Sequence, residues 1–126
     1  MEKVTGIGGF FFRSKDPDEL ARWYQDHLGI DPIPTVEGQA SWRQEAGETA
    51  FTAMDGSVDQ FGKPDAHWAI NFRVRDLDAM VEQLRDAGIV VAVDPETYSM
   101  GRFASLEDPD GNPIQLWQPG GAGPQG

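Results

Sequence analysis

The chain of 126 residues is the size of one domain, and folding at that length buries roughly 65 to 70% of the unfolded chain's surface. It contains no cysteine, which excludes a disulfide framework, a thiolate nucleophile and a zinc site with sulfur ligands. Its net charge of −11 would repel phosphate groups, so we expect no nucleic acid and no anionic membrane surface as partner, and a neutral or cationic small molecule suits this field better.

The sequence has no segment that predicts membrane insertion or export. No apolar run approaches the roughly 20 residues of a membrane-spanning helix, and the first residues lack the basic-then-apolar order of a signal peptide. We therefore expect a soluble, cytoplasmic protein.

The first half predicts one helix between extended segments. Residues 4–13, with three consecutive phenylalanines, are typical of a strand. Asp16 is a candidate N-cap with Glu19 three residues later, and Gly29 is a natural helix end, which predicts a helix to about Leu28. Short strands are then expected near 40–44 and 49–54, followed by a loop over 55–66.

The second half predicts a strand, a helix and three further strands. Residues 67–75 are typical of a strand, Asp76 is a second candidate N-cap, and Gly88 is a second helix end. Short strands are expected at 89–93 and at 102–107, with a loop at 94–101 between them.

The last predicted strand has two different faces. It follows a turn at 108–111, and its alternation places Ile114 and Leu116 on one face and Gln115 and Trp117 on the other. A buried glutamine needs hydrogen-bond partners, so either Gln115 faces a cavity or it is an ordinary polar residue facing solvent.

The two halves are similar to each other. When 12–26 is laid over 72–86, five of fifteen positions are identical, including the two predicted N-caps. The alternative is a chance match between two capped strand-helix units; the repeat favours a duplicated unit of about 60 residues.

A duplicated unit with these motifs resembles the glyoxalase, bleomycin resistance protein and extradiol dioxygenase superfamily. The motifs are Trp23 to Gly29, Asn71 to Asp78 and Asp108 to Trp117. The resemblance implies an α+β fold in which two tandem βαβββ units form a curved, partly closed mixed sheet around a cavity, with helices outside. The implied units are 1–60 and 61–118 of one structural domain, with a frayed tail at 119–126.

The resemblance also implies where metal ligands would lie, and the sequence departs from that pattern. The metal-ligand positions fall at about Gly9, Ala69 and Gln115. Of these, only Gln115 has a side-chain atom that can ligate a metal, its carbonyl oxygen. His67 and Glu48 are the remaining weak metal candidates. We therefore predict no cofactor, while a divalent metal held by this degenerate set stays the alternative. His67 itself is either a ligand or general base at the cavity mouth, or a solvent-exposed residue at a strand start.

Two functions follow as hypotheses. The first is a protein that binds an organic small molecule, cationic if the acidic surface serves recognition, in an aromatic cavity, as a homodimer and without a metal. The alternative is a metal-dependent lyase, isomerase or dioxygenase; no catalytic residue is identified for it. The aromatic candidates would otherwise serve the core or a dimer interface, and Asn71 and Gln115 would otherwise only bond each other. The predicted ligand-binding residues are Phe11, Trp42, Phe51, His67, Asn71, Tyr98, Met100, Gln115 and Trp117.

Overall fold

A computed structural model describes residues 1–57 and 65–120. In this part of the chain, two helices and four strands form an α+β fold. In chain order they are α1 (Pro17–Leu28), β1 (Ile70–Arg73), α2 (Leu77–Asp86), β2 (Ala92–Val93), β3 (Gly101–Glu107) and β4 (Pro113–Pro119). Neither helix is long and apolar enough to cross a membrane, a finding that holds for the described residues.

Both helices begin at the predicted aspartate caps. The carboxylate of Asp16 accepts from the backbone N–H of Glu19 at 3.2 Å, and Asp76 accepts from Ala79 at 3.0 Å. Each cap satisfies one of the N–H groups that the first helical turn leaves without a partner. Gly29 follows α1 with a left-handed φ of 73°, which glycine adopts without a Cβ clash.

The four strands form one open, mixed sheet in the order β1-β4-β3-β2. The pairing of β1 with β4 is parallel, whereas β3 pairs antiparallel with both β4 and β2. The second half therefore contains the complete strand-helix-three-strand order that the repeat predicts. The α+β class predicted from the sequence is confirmed.

One face of the sheet carries the hydrophobic core. Ala104 and Leu116 are register partners, as are Leu106 and Ile114, and all four are at least 94% buried. Helix α2 packs on this face, and α1 adds further apolar side chains. The remaining core residues are Leu20, Tyr24, Leu77, Val81, Leu84 and Val91.

The first half differs from the prediction. The segments 4–13, 40–44 and 49–54 are not strands in the structure, because their backbones make no ladder hydrogen bonds with a neighbouring strand. Side-chain alternation, which the sequence does show, does not supply that partner.

The alternation itself survives in the segment 4–13. Phe10 and Phe12 pack against Trp68, with ring centroids 5.0 and 5.9 Å apart, whereas Phe11 between them is 85% exposed. The segment thus contacts the second half through Phe10 and Phe12, while Phe11 lies away from that contact. The unit boundaries 1–60 and 61–118 stay predictions.

Two predicted strands differ in length from the prediction, and two predicted irregular segments lie largely outside the described residues. The strands at 67–75 and 89–93 are shorter than expected, at four and two residues. The predicted loop at 55–66 and tail at 119–126 lie largely outside the described residues.

Candidate functional site

The face of the sheet opposite the core includes two central rows of side chains, and we call this face the free face. Cross-strand partners share a face, so the register places Asn71, Gln115 and Ser105 in a polar row across β1, β4 and β3. The next row consists of Arg73, Trp117 and Phe103. The free face is therefore polar along one line and largely aromatic along the next.

The aromatic row continues into the loop that precedes β3. Phe103 stacks on Trp117 with centroids 6.5 Å apart and ring planes 10° apart, and it meets Tyr98 edge-on at 5.9 Å. The indole N–H of Trp117 donates to the backbone oxygen of Met100 at 2.8 Å, and the Tyr98 hydroxyl donates to Asp94 at 2.9 Å. The first bond holds the loop against the sheet, and the second joins the two ends of the turn within the loop.

An open groove of about 1000 Å³ lies along this loop and the adjoining strands. Its walls include Tyr98, Met100 and Phe103, with Ser105 and Gln115 among its polar groups. The charged residues that line it are all acidic, namely Asp94, Glu107 and Asp108. A second groove, of about 570 Å³ beside α2, has a mostly charged lining without an aromatic residue and is less suited to an organic ligand.

The polar row is organised by one hydrogen bond. Asn71 Nδ2 donates to Gln115 Oε1 at 2.7 Å. Asn71 is exposed and Gln115 is half-buried, so neither amide is sealed from a ligand. The bond makes the oxygen of Gln115 an acceptor for Asn71.

The side chain of Arg73 is hydrogen-bonded to the first half of the chain. Its guanidinium donates from Nη1 to the backbone oxygen of Glu48 at 2.6 Å and from Nη2 to that of Glu45 at 2.8 Å. A Cβ added at Gly47, inside this turn, would collide with the guanidinium. Arg73 therefore fastens the 45–48 turn to the sheet.

A buried bond joins two of the segments that carry the family resemblance. The hydroxyl of Tyr24 on α1 donates to Asp108 Oδ2 at 2.7 Å, and Asp108 is only 4% exposed. Asp108 also accepts from the backbone and side chain of Asn112 and from the backbone of Asp110. Burial, followed by the hydrogen bond and charge of Asp108, raises the pKa of Tyr24 far above its ordinary value. This contact stabilises the fold and is outside the proposed binding role.

The side chains at the implied ligand positions do not fit a divalent ion. Gly9 and Ala69 offer no side-chain donor, and the oxygen of Gln115 accepts from Asn71. Glu48 contributes its backbone oxygen to Arg73, and His67 is exposed. Across residues 1–57 and 65–120, no three His, Cys, Asp or Glu residues are grouped closely enough to hold a metal.

The structure brings together part of the predicted ligand-binding set. Tyr98, Met100 and Gln115 line the groove, and Asn71 and Trp117 flank these residues through the contacts above. The other predicted residues are exposed and do not appear among the described groove walls. They are Phe11, Trp42, Phe51 and His67.

Most of the groove residues were not selected from the sequence, among them Phe103, Ser105 and Asp94. Phe103 and Ser105 lie on a strand that was predicted, and antiparallel pairing with the last strand would have placed them beside Trp117 and Gln115. Asp94 had no such signal, because its role depends on how the following loop folds back.

Several solved protein structures have a fold similar to that of this chain. The antibiotic binding protein TnmS3 from Streptomyces sp. CB03234 is similar at 22% identity, with a TM-score of 0.61 over 94% of this chain and 99% of that chain. A lactoylglutathione lyase from Agrobacterium tumefaciens is similar at 16% identity, with a TM-score of 0.58 over 93% and 96%. An integron cassette protein of V. cholerae is similar at 18% identity, with a TM-score of 0.58 over 94% and 98%. At these identities the likeness shows the fold alone.

The sequence has no significant match among curated proteins. The model of the Glyoxalase/Bleomycin resistance protein/Dioxygenase superfamily matches residues 6–116, which is most of the chain. The protein therefore belongs to the glyoxalase, bleomycin resistance protein and dioxygenase superfamily.

Proposed function

We propose that the protein binds an organic small molecule in the groove of the free face, without a metal ion. The observation that carries this proposal is the groove itself, with flat walls from Tyr98 and Phe103 and a few polar groups such as Gln115. Its volume of about 1000 Å³ is at the upper end for small-molecule sites, which are mostly apolar with a few placed polar groups.

The charge of the lining favours a cationic ligand. Asp94 and Glu107 line the groove, and its described walls include neither lysine nor arginine. The faces of Tyr98 and Phe103 add attraction for a cation through their ring quadrupoles. The net charge of −11 acts in the same direction at longer range.

A sequestering role is the part of this proposal that rests on a neighbour. TnmS3 shares the fold and is an antibiotic binding protein. An acidic, aromatic groove in the present chain would suit a basic antibiotic, with binding and no chemical step as the activity.

A matched pair of probes tests the groove and its charge preference. We expect 1-naphthylmethylamine, a cation, to bind more tightly than 1-naphthoic acid, an anion with the same rings, by isothermal calorimetry. Asp94→Asn should weaken binding of the amine roughly five-fold, since one charge at contact distance in water contributes about 1 kcal/mol. Asp26→Asn, which removes an exposed charge on α1, is the control and should change little. Failure of both probes to bind would overturn the proposal.

Metal independence needs its own measurement. Dialysed protein should melt at the same temperature with and without Mn²⁺, Ni²⁺, Zn²⁺ or Fe²⁺. An ion present at a hundred times its dissociation constant would add about 2.7 kcal/mol to the free energy of unfolding, which a melting curve resolves. A shift that Gln115→Ala and His67→Ala abolish would favour the metal-dependent lyase, isomerase or dioxygenase instead.

We also propose that the protein is a cytoplasmic homodimer. Exposed apolar side chains of the first half support the dimer, with Val4, Phe11 and Phe51 between 85 and 90% exposed. Where such side chains form one contiguous patch, the patch marks an interaction site, and a second copy of the chain would cover it. Sedimentation velocity across a concentration series tests the dimer, and a monomer at every concentration would contradict it.

A further inference from the structure

The side chain of Gln115 is fixed at one end. Its Oε1 accepts from Asn71 Nδ2 at 2.7 Å, and the two residues are register partners on the parallel strands β4 and β1. A carboxamide has a carbonyl oxygen that only accepts and an amino group that only donates. With the oxygen directed toward β1, the amino group of the same planar amide is directed elsewhere.

The donor end of Gln115 consequently faces away from β1. Oxygen and nitrogen of an amide lie about 120° apart around their shared carbon, so Nε2 points off the Asn71 side. Gln115 lines the groove, and its neighbour on the other side is Ser105 of β3, which also lines it. Within the described residues, no group accepts a hydrogen bond from Nε2.

We infer that Gln115 is the hydrogen-bond donor that recognises an acceptor oxygen of the ligand, and that Asn71 is the residue that positions it. The inference rests on the proposed function and names the ligand class more closely. A fixed N–H donor beside the flat rings of Tyr98 and Phe103 suits a planar aromatic compound with a carbonyl oxygen, such as an aryl ketone, ester or lactam.

In the structure Asn71 presents its amino group to the oxygen of Gln115. An aspartate of the same size can only accept. In Asn71→Asp, Gln115 would have to turn its amino group toward residue 71 and present its oxygen to the groove. The variant therefore reverses the polarity of the site with little change in volume.

Two probes of matched shape isolate the carbonyl. 2-Acetylnaphthalene and 2-ethylnaphthalene differ by one oxygen, and their dissociation constants can be measured by isothermal calorimetry. We expect the wild type to prefer the ketone roughly five-fold, the factor that one neutral hydrogen bond contributes. Equal affinities would overturn the inference while leaving the proposed function intact. Failure of both probes and of 1-naphthylmethylamine to bind would instead remove the proposed function itself.

Three variants assign the preference to residues. Gln115→Leu should reduce the ratio of the two affinities to about one while binding of 2-ethylnaphthalene is retained. Asn71→Asp should make the ratio fall below one, an inversion that a loss of stability alone would not produce. Gln83→Leu, the same change on the exposed side of α2, should leave the ratio as in the wild type. An unchanged preference in Asn71→Asp would show that Asn71 does not position Gln115.

Discussion

The two halves of the chain have similar sequences but are held in different ways. In the second half, four strands are joined by a continuous register and one face of the sheet is sealed by α2. In the described part of the first half, α1 is the regular element, and the extended segments around it are largely exposed. The second half thus supplies the sheet and most of the core, and α1 of the first half adds Leu20 and Tyr24 to that core.

Besides the core packing of α1, polar and aromatic contacts join the two halves. Phe10 and Phe12 pack on Trp68, Tyr24 donates to Asp108, and Arg73 holds the turn around Gly47. Each joins residues that are far apart in sequence. The comparison teaches that similar sequence in two halves does not ensure the same backbone pairing, since the described first half contacts the sheet of the second half through side chains.

A core truncation in the second half should have the largest effect. Leu116 is fully buried, so Leu116→Ala should cost about 3 kcal/mol of unfolding free energy, from lost burial and the cavity that remains. Phe51→Ala, at a side chain 90% exposed, should cost less than about 0.5 kcal/mol in urea unfolding of dilute protein. A cost for Phe51→Ala that grows with protein concentration would place it in a dimer interface. If Leu116→Ala and Phe51→Ala lowered the free energy of unfolding equally at every protein concentration, the comparison of the two halves would be contradicted.

Removing the Tyr24 hydroxyl should have the next largest effect. Tyr24→Phe leaves the buried carboxylate of Asp108 with one donor fewer, which should cost about 1 to 3 kcal/mol. Tyr98→Phe is the control, because the Tyr98 hydroxyl bonds an aspartate in an exposed setting and should matter less.

The same tyrosine predicts how stability changes at alkaline pH. The pKa of Tyr24 is raised above its ordinary value of 10.0, so the folded protein keeps a proton that the unfolded chain releases. The contribution of the Tyr24 hydroxyl to the free energy of unfolding is therefore constant below about pH 10. It decreases as the pH rises above about 10. Urea unfolding from pH 8 to 11 should show a steeper loss in the wild type than in Tyr24→Phe. Identical slopes would contradict the assignment.

The smallest of these effects should follow from Gly47→Ala. The added methyl group displaces the guanidinium of Arg73 and weakens its two bonds to the turn, at a cost of about 1 kcal/mol. Gly56→Ala is the matched control, because a Cβ there meets no atom within 4 Å. In an Arg73→Ala background the two substitutions should cost the same, and a difference that persists would show that Arg73 is not the cause.

Sequence patterns predicted the local features well. The caps at Asp16 and Asp76 are encoded within three residues, and the alternation in 113–119 places Gln115 on the free face without knowledge of any partner. The family resemblance also predicted the mixed sheet that the second half forms. The caps and the alternation depend on neighbours in the chain, whereas the sheet pairing followed from the resemblance.

The features that sequence patterns missed depend on distant partners. Tyr24 and Asp108 are 84 positions apart, and neither residue type by itself indicates a buried bond. The strands expected at 40–44 and 49–54 have the right composition, but a strand also needs a neighbour whose backbone groups are in register. For the same reason Asp94 was missed as part of the groove.

The most direct test of the proposed binding site is to locate the ligand on the protein. Amide and side-chain chemical shifts of labelled protein should be followed by NMR during titration with 1-naphthylmethylamine. We expect the largest shifts at Tyr98, Phe103, Ser105 and Gln115, and none at Arg22 on the outer side of α1. Shifts concentrated at Phe11 and Phe51 instead would place the ligand on the exposed apolar surface of the first half and would contradict the account.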